Sequence, residues 1–276
     1  MKTAILQLTS SDDPDENGAN VIAMLETAAR EGAGFALTPE VTNCVSTSRS
    51  HQAEVLRHED EDPTLAAICA AAKRLQIHVL IGSLALKTTD ADGRFANRSF
   101  LIDPAGQIVA RYDKIHMFDV EIDDTESYRE SSGYRPGTQA ALARTECGTV
   151  GLCICYDLRF PHLAGALAAA GAEILTYPAA FSPVTGAAHW ESLLRARAIE
   201  TGCWVLAPAQ TGTHSAQTGK ARSTYGHSLA VDPWGTVVLD AGTSPGVYTF
   251  NLELNKIVEA RRRIPSLLNR RDFEGP

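Results

Sequence analysis

One cysteine at the end of a hydrophobic segment, Cys155, has the clearest potential for covalent chemistry. It follows the apolar run of residues 150–154 and opens the sequence CYDLRFP, after which the pattern becomes helical. A residue at such a strand-to-helix turn projects beyond the sheet edge, and the N–H groups of the turn can hold an oxyanion. A helix start also favours the thiolate form. We therefore consider Cys155 a candidate nucleophile with a lowered pKa, against the alternative of an inert core cysteine.

Cys153 opens a second interpretation of the same segment. If residues 149–155 form one strand, Cys153 and Cys155 lie on the same side of it, as a Cys-x-Cys metal or redox site would require. No histidine or second cysteine pair is spaced to complete such a site. The sequence therefore favours neither a structural zinc nor any other metal.

Two charged residues could assist a thiol nucleophile. Glu40 ends the phrase FALTPE at the outer end of a hydrophobic strand, and Lys114 lies in RYDKIH just past another strand. Glu40 is either a solvated loop charge or a general base that could accept the thiol proton and later activate water. Lys114 is either an exposed strand-end lysine or a cation that stabilises an oxyanion and lowers the pKa of the thiol. Other catalytic signatures are missing from the sequence, namely Gly-x-Ser-x-Gly, HExxH, the P-loop and GxGxxG.

Alternating strand and helix patterns must position these residues. The turn sequences DPAG at 103–106 and DPWG at 232–235 each separate two apolar runs, which predicts two β-hairpins, 99–112 and 228–239. No linker rich in Pro, Gly or Ser divides the chain, so we expect a single domain over residues 1–276. Its fold class is α/β, with mixed sheets covered by helices. Further strands are predicted at 3–8, 35–38, 78–86, 149–155, 172–177, 203–207 and 247–252, and helices at 19–30, from 62 onward, and at 160–170, 188–201 and 255–263.

Composition excludes several classes of function. The chain has 276 residues with 25 basic and 33 acidic side chains, a net charge of −8, which is unsuitable for binding nucleic acid. A basic cluster at 261–263 and 270–271 is better explained as an interface or a solvated helix end. No apolar run approaches a membrane span, and no secretory signal is visible. Six cysteines in such a chain predict reduced thiols and a cytoplasmic location.

The three candidate residues lie in segments that together resemble the Glu, Lys and Cys motifs of the nitrilase superfamily of carbon–nitrogen hydrolases. The motifs occur in the family's order, and the resemblance covers nearly the whole chain. Within the family the chain is most similar to the branch that holds deaminated glutathione amidase and omega-amidase. The matching segments are TPE at 38–40, YDKIH at 112–116, GLCICYDLRFP at 151–161, AEILTYP at 172–178, HWE at 189–191, RARAIE at 195–200, YGHS at 225–228 and DPWG at 232–235.

The resemblance implies a fold and a reaction. The fold is a four-layer αββα sandwich that forms a homodimer or higher homo-oligomer, with the segment of about 247–276 at the interface. Glu40, Lys114 and Cys155 form the catalytic triad, and the mechanism passes through a Cys155 thioester with release of ammonia or an amine. No metal and no cofactor is needed, and the partner is a small-molecule amide.

Further site residues follow from the same resemblance. Glu130 should hold Lys114 charged and oriented. Arg159, Tyr156, Phe181 and Thr185 are expected to contact the substrate, with Arg159 binding a substrate carboxylate. The backbone N–H groups of Tyr156 and of the 180–181 region are candidate oxyanion donors, and His116, His189 and His227 are assigned to packing or hydrogen bonding. The loop at 123–127 (DDTES) is more acidic than is usual in the branch, and we expect it to border the substrate.

The expected substrate is a small amide that carries a carboxylate, such as deaminated glutathione. Alternatives are an omega-amidase acting on α-keto acid amides, an N-carbamoyl amino acid hydrolase and a nitrilase. An alternative of another class is a non-enzymatic binding module on the same scaffold, against which the intact set Glu40, Lys114 and Cys155 argues.

Overall fold

The computed structural model describes residues 1–122 and 127–275, so most of the acidic loop at 123–127 lies outside the described residues. In chain order the strands are β1 (Lys2–Gln7), β2 (Phe35–Leu37), β3 (His78–Leu86), β4 (Ala96–Ile102), β5 (Ile108–Asp113), β6 (Asp119–Glu121), β7 (Ser127–Arg129), β8 (Ala141–Thr145), β9 (Gly148–Leu152), β10 (Ile174–Thr176), β11 (Trp204–Ala207), β12 (Thr211–His214), β13 (Arg222–Tyr225), β14 (Leu229–Val231), β15 (Val237–Asp240) and β16 (Gly246–Asn251). The α-helices are α1 (Pro14–Arg30), α2 (Arg49–Val55), α3 (Pro63–Leu75), α4 (Pro161–Ala169), α5 (Pro183–Thr201) and α6 (Asn255–Arg263).

Most of these strands form two six-stranded sheets of similar design. The first has the order β16-β1-β2-β3-β4-β5 and the second the order β15-β14-β11-β10-β9-β8. Each sheet has three parallel central strands, β1-β2-β3 and β9-β10-β11, with antiparallel strands on both sides. The two hairpins predicted from the Asp-Pro turns are confirmed as the antiparallel pairs β4–β5 and β14–β15.

The sheets pack face to face, and helices cover their outer faces. One buried core joins Ile5 and Leu80 of the first sheet to Val150 of the second. A separate core joins the opposite face of the first sheet to α1 and α3, for example Leu6 to Leu25. Helices α4 and α5 cover the outer face of the second sheet. The predicted α/β class and four-layer αββα sandwich are therefore confirmed.

Helix boundaries follow from capping residues more than from apolar periodicity. The α1 helix begins at Pro14 and not at residue 19, because Asp13 accepts hydrogen bonds from the N–H groups of Asp15 and Glu16. Its first turn is polar and therefore shows no apolar spacing. Helix α5 also begins before its predicted start, at Pro183 and not at residue 188, although the Ser182 side chain makes no capping hydrogen bond; a proline at the first position is favourable there. None of the helices in the described part of the chain is both long and apolar enough to span a bilayer.

The segment that leads to Cys155 differs from the prediction. Strand β9 ends at Leu152, and a 3-10 helix runs over Cys155–Arg159, so Cys155 lies beyond the strand although the Cys153 N–H still donates to the Thr176 carbonyl oxygen of β10. The two cysteines therefore do not share one face of a strand. Cys153 is buried next to the Tyr177 hydroxyl, whereas Cys155 lines a cavity.

Candidate active site

A cavity of about 430 Å³ lies where the central strands of the two sheets end. Glu40 reaches it from the loop after β2, Lys114 from the residue directly after β5, and Cys155 from the turn after β9. Glu130 lines it from a 3-10 helix that follows β7. The structure thus brings together four of the residues singled out in the sequence, although 115 positions separate the first from the last.

Lys114 lies between two carboxylates. Its Nζ is 2.8 Å from Glu40 Oε1 and 2.8 Å from Glu130 Oε2, and its side chain is only 2% exposed. Burial alone would disfavour the charged amine, but the nearby carboxylates outweigh it and raise the pKa of Lys114. Burial likewise disfavours the charged carboxyl of Glu40, but Lys114 outweighs it and the pKa of Glu40 is lowered. The arrangement keeps both groups ionised inside the protein.

The Cys155 thiol is held in a strained turn beside Glu40. Cys155 has a φ of +49°, a left-handed conformation that is uncommon for residues other than glycine, and its N–H donates to the carbonyl oxygen of Pro178 at 2.9 Å. Burial, followed by the negative charge of Glu40, raises the pKa of Cys155 well above its ordinary value, although Lys114 partly opposes this. The expected lowering of the thiol pKa is therefore wrong, because burial outweighs the helix start. The resting thiol is protonated and requires a base, and Glu40 is within its hydrogen-bonding reach.

A fully buried carboxylate, Asp157, supports the cysteine turn. It accepts hydrogen bonds from the Ile154 N–H at 2.8 Å and from the Tyr112 hydroxyl at 2.7 Å, and its Oδ1 lies 2.6 Å from His116 Nδ1. The His116 ring stacks on Phe160 with 3.6 Å between centroids. These contacts fit the packing role expected of His116. The supporting role of Asp157 was not anticipated, although an acidic residue between the apolar residues of CYDLRFP was a signal for it.

Asn97 connects the two glutamates and was also missed. Its side-chain amide nitrogen donates to Glu40 Oε1 at 2.9 Å and to Glu130 Oε1 at 3.2 Å, and the residue is only 1% exposed. Asn97 lies on β4, and its position depends on the pairing of β4 with β3 and β5. The surrounding sequence carries no signal for this role.

One of the candidate oxyanion donors is already in use. The Ala180 N–H donates to Glu40 Oε2 at 3.0 Å, so it orients the base and is not available to a substrate. The Tyr156 N–H lies in the first turn of the 3-10 helix, where N–H groups have no acceptor within the helix. Tyr156 therefore remains the better candidate.

The expected substrate contacts fall into two groups. Tyr156, Phe181 and Thr185 line the cavity. Arg159 is not part of its lining. Its guanidinium lies 5.7 Å from the ring centroid of Phe181, and its Nη2 lies 3.2 Å from His189 Nδ1. Arg159 thus contacts the rings of Phe181 and Tyr156, two residues of the wall, without lining the cavity itself.

Three other arginines do line the cavity, and none of them was anticipated as a cavity residue: Arg129 at the end of β7, Arg49 and Arg222. Arg49 extends from the first residue of α2, and Arg222 from the first residue of β13. No local pattern distinguishes them from surface arginines, because only the long-range placement of α2 and β13 directs them to the cavity.

Comparison with known proteins identifies one family and relatives that match nearly the whole chain. The family model for carbon–nitrogen hydrolases matches residues 2–262. The deaminated glutathione amidase of Yersinia enterocolitica is 38% identical over 269 residues, which cover 97% of this chain and 92% of the relative.

Solved structures give the same result at the level of the fold. The C. elegans NitFhit protein superposes with a TM-score of 0.90 at 33% identity over 98% of this chain, which spans only 65% of the NitFhit chain. Saccharomyces cerevisiae Nit3, described as a member of branch 10 of the nitrilase superfamily, superposes with a TM-score of 0.82 at 27% identity, covering 96% of this chain and 94% of Nit3.

Proposed function

Because the chain belongs to the carbon–nitrogen hydrolase family and is thus a hydrolase of C–N bonds, we propose that it is an amidase for small carboxylate-bearing amides such as deaminated glutathione. The name of the Yersinia enterocolitica relative supports this substrate class. The cavity supports it as well, since at about 430 Å³ it suits a small molecule and carries arginines in its wall.

The proposed reaction begins with proton transfer from Cys155 to Glu40. The sulfur attacks the amide carbonyl carbon, and the carbonyl oxygen becomes an oxyanion. When the C–N bond breaks, Glu40 returns the proton to the leaving nitrogen, and ammonia or an amine departs. Glu40 then takes a proton from water, the hydroxide attacks the thioester, and the carboxylic acid leaves as the thiol re-forms.

Lys114 and the backbone stabilise the charge that develops. The ammonium of Lys114, held by Glu40 and Glu130, and the Tyr156 N–H are the groups we assign to the oxyanion. Preorganised donors in a buried site need no rearrangement during the reaction, which makes them effective. Glu130 and Asn97 act by positioning Lys114 and Glu40.

The observation that carries this proposal is the presence of the Cys155 thiol, the Glu40 carboxylate and the Lys114 ammonium in one cavity. The test is the Cys155→Ala variant, with 2-oxoglutarate release from deaminated glutathione and from α-ketoglutaramate as the readout. We expect activity to fall by at least about 10⁴-fold, as is usual when a covalent nucleophile is removed, without loss of thermal stability.

Control variants and substrates separate the alternatives. Cys69→Ala removes a half-buried thiol on α3 and should retain full activity. Turnover of N-carbamoyl amino acids or nitriles in preference to amides would indicate one of the other family reactions. Wild-type activity in Cys155→Ala would disprove the thioester mechanism, and a folded wild type that turns over none of these compounds would favour a binding module.

We further propose a reducing, cytoplasmic setting. All six cysteines are free thiols, and the proposed nucleophile must stay reduced to act.

A further inference from the structure

The cavity contains more positive charge than its catalytic set requires. Of the four cationic side chains in the wall of the cavity, Lys114 is neutralised by Glu40 and Glu130. Arg129 pairs with Glu121 at 2.6 Å. Within residues 1–122 and 127–275, the two remaining cations, Arg49 and Arg222, form no ion pair with a carboxylate. The wall of the cavity therefore offers positive charge to an anionic ligand.

Arg222 is the cation that is fixed next to the catalytic groups. The Arg222 Nη2 donates to the carbonyl oxygen of Ala180 at 2.6 Å, and the Ala180 N–H in turn donates to Glu40 Oε2. Burial raises the pKa of Glu40, and the charge of Arg222 is close enough to help Lys114 and the Cys155 hydrogen bond lower it. Arg49, in contrast, is exposed and lies over Phe95 and Tyr134.

One donor of Arg222 is buried and unused. Its Nε has no hydrogen-bond partner among the residues that the structure describes, although the atom is shielded from solvent. A buried charged donor without an acceptor is unfavourable, so a small turn of the guanidinium toward an acceptor in the cavity would be favourable. Because the guanidinium is a planar fork of donors, the natural ligand is a carboxylate.

The hairpin that carries Arg222 is anchored from several sides. The Gln217 N–H donates to Asp12 Oδ2 at 2.8 Å, and the Lys220 N–H donates to Thr47 Oγ1 at 3.1 Å. Thr224 Oγ1 lies 2.7 Å from His214 Nε2. Arg222 is thus held on a supported element, as selective recognition of a small anion requires.

We propose that Arg222 binds the carboxylate on the acyl part of the amide substrate and so determines specificity for carboxylate-bearing amides. The inference deepens the proposed function and rests on it. It moves this role from Arg159, which does not line the cavity, to a residue in its wall. A contact with the acyl part persists after the amine has left, because the acyl part stays attached to Cys155 in the thioester. Arg222 lies close to the reacting groups, because Ala180 both donates to Glu40 and accepts from Arg222.

The test compares α-ketoglutaramate with its carboxylate methyl ester, and ammonia release reports both reactions. Arg222→Met should lower kcat/KM for the acid roughly 10- to 100-fold more than kcat/KM for the ester, which is the value of a charged hydrogen-bonded contact. A loss common to both substrates reports the contact of Arg222 with the Ala180 carbonyl oxygen. Arg222→Lys keeps the charge but loses the planar pair of donors, so its kcat/KM for the acid should lie between those of the wild type and of Arg222→Met. Arg144→Met, on the exposed side of β8, is the matched control and should change neither substrate.

Two outcomes would overturn the assignment. In one, Arg222→Met lowers kcat/KM equally for acid and ester, which indicates a structural role. In the other, Arg159→Met abolishes the preference for the acid while Arg222→Met does not. Thermal melting of each variant shows whether it has kept its fold.

Failure of the proposed function can be distinguished from failure of this inference. If the wild type hydrolyses neither compound, the amidase proposal fails, and calorimetric binding of 2-oxoglutarate to Cys155→Ala then decides the role of Arg222. Binding at least about tenfold weaker in Cys155→Ala/Arg222→Met supports the assignment. Equal binding by the two proteins, or none by either, overturns it.

Discussion

At the scale of single residues, the site depends on one buried ammonium shared by two carboxylates. Lys114 outweighs the effect of burial on Glu40, so the pKa of Glu40 lies below its ordinary value, while burial and Glu40 raise that of Cys155. The resting pair is therefore a carboxylate and a neutral thiol. This is the form in which a general base can take a proton as the sulfur attacks.

The first prediction concerns the pH dependence of kcat/KM. Glu40 must be ionised to act, so activity is present above its pKa and lost as pH falls through it. Because that pKa is lowered from 4.5, the acid limb measured with an uncharged amide should have its midpoint below pH 4.5. Lys114→Met should move the midpoint upward, because burial then raises the pKa of Glu40 without the opposing charge of Lys114. Circular dichroism at each pH must show that the fold persists, and a wild-type midpoint at pH 6 or above would contradict the assignment.

The second prediction concerns Asn97, which positions both glutamates without touching the thiol. Asn97→Leu keeps the approximate volume and removes both hydrogen bonds, so Glu40 and Glu130 lose a common partner. We expect kcat to fall about 10- to 100-fold with little change in KM, because orientation is lost and not substrate contact. Asn20→Leu, on the exposed side of α1, is the control. A change confined to KM would indicate that Asn97 contacts the substrate.

At the scale of elements, Gly82 on β3 marks the place where the two active-site loops meet. A Cβ on Gly82 would lie 2.1 Å from the Thr38 carbonyl oxygen, 2.4 Å from that of Pro39 and 2.5 Å from the Pro178 Cβ. Thr38 and Pro39 lead to Glu40, and the Pro178 carbonyl accepts the Cys155 N–H. The distance between base and nucleophile therefore depends on the absence of a side chain here.

The third prediction follows for Gly82→Ala. One added methyl group cannot be accommodated without moving one of the loops, so we expect a loss of about 1–3 kcal/mol in the free energy of unfolding, together with lower kcat. Urea denaturation and steady-state kinetics measure the two effects. Gly34→Ala is the matched control, because its Cβ would meet only Met1 side-chain atoms at 3.7 Å. If Gly82→Ala is destabilised but keeps its kcat, then Gly82 is needed for packing and not for the geometry of the site.

At the scale of the whole molecule, the C-terminal segment leaves apolar side chains in solvent. Helix α6 is fixed to the second sheet, where Arg261 Nη2 donates to the Ala172 carbonyl oxygen at 2.6 Å. Beyond it Leu268 is 83% and Phe273 88% exposed, and Val258 on α6 is 69% exposed. Several large apolar side chains exposed within one segment of the chain suit a surface that a partner covers.

The fourth prediction is that two chains pair through the segment of about 247–276. Light scattering after gel filtration should give about twice the chain mass of 29.6 kDa. Leu268→Asp/Phe273→Asp should shift the protein to the single-chain mass, since burying the new charges is unfavourable. A wild type that is monomeric at micromolar concentration would refute this pairing, and a variant that stays dimeric would move the interface elsewhere.

Local patterns were enough to predict several features of the fold. Strand and helix types and the two hairpins follow from periodicity and turn chemistry, whereas the αββα architecture was implied by the resemblance of the motifs around Glu40, Lys114 and Cys155 to the nitrilase superfamily. These motifs place polar residues just beyond strand ends, and parallel strands bring such ends together. Helix starts were less predictable, as α1 illustrates, because a polar first turn shows no apolar spacing.

The packing of the two sheets sets which more distant groups reach the cavity and how they are charged. Asn97 reaches Glu40 through strand pairing, Ala180 supplies its N–H from the other sheet, and Arg222 rather than Arg159 lines the wall. The direction of the Cys155 pKa shift also depended on burial, which no local pattern reveals. Each of these properties arises from groups far apart in the chain, and their separation in space is set only when the two sheets pack.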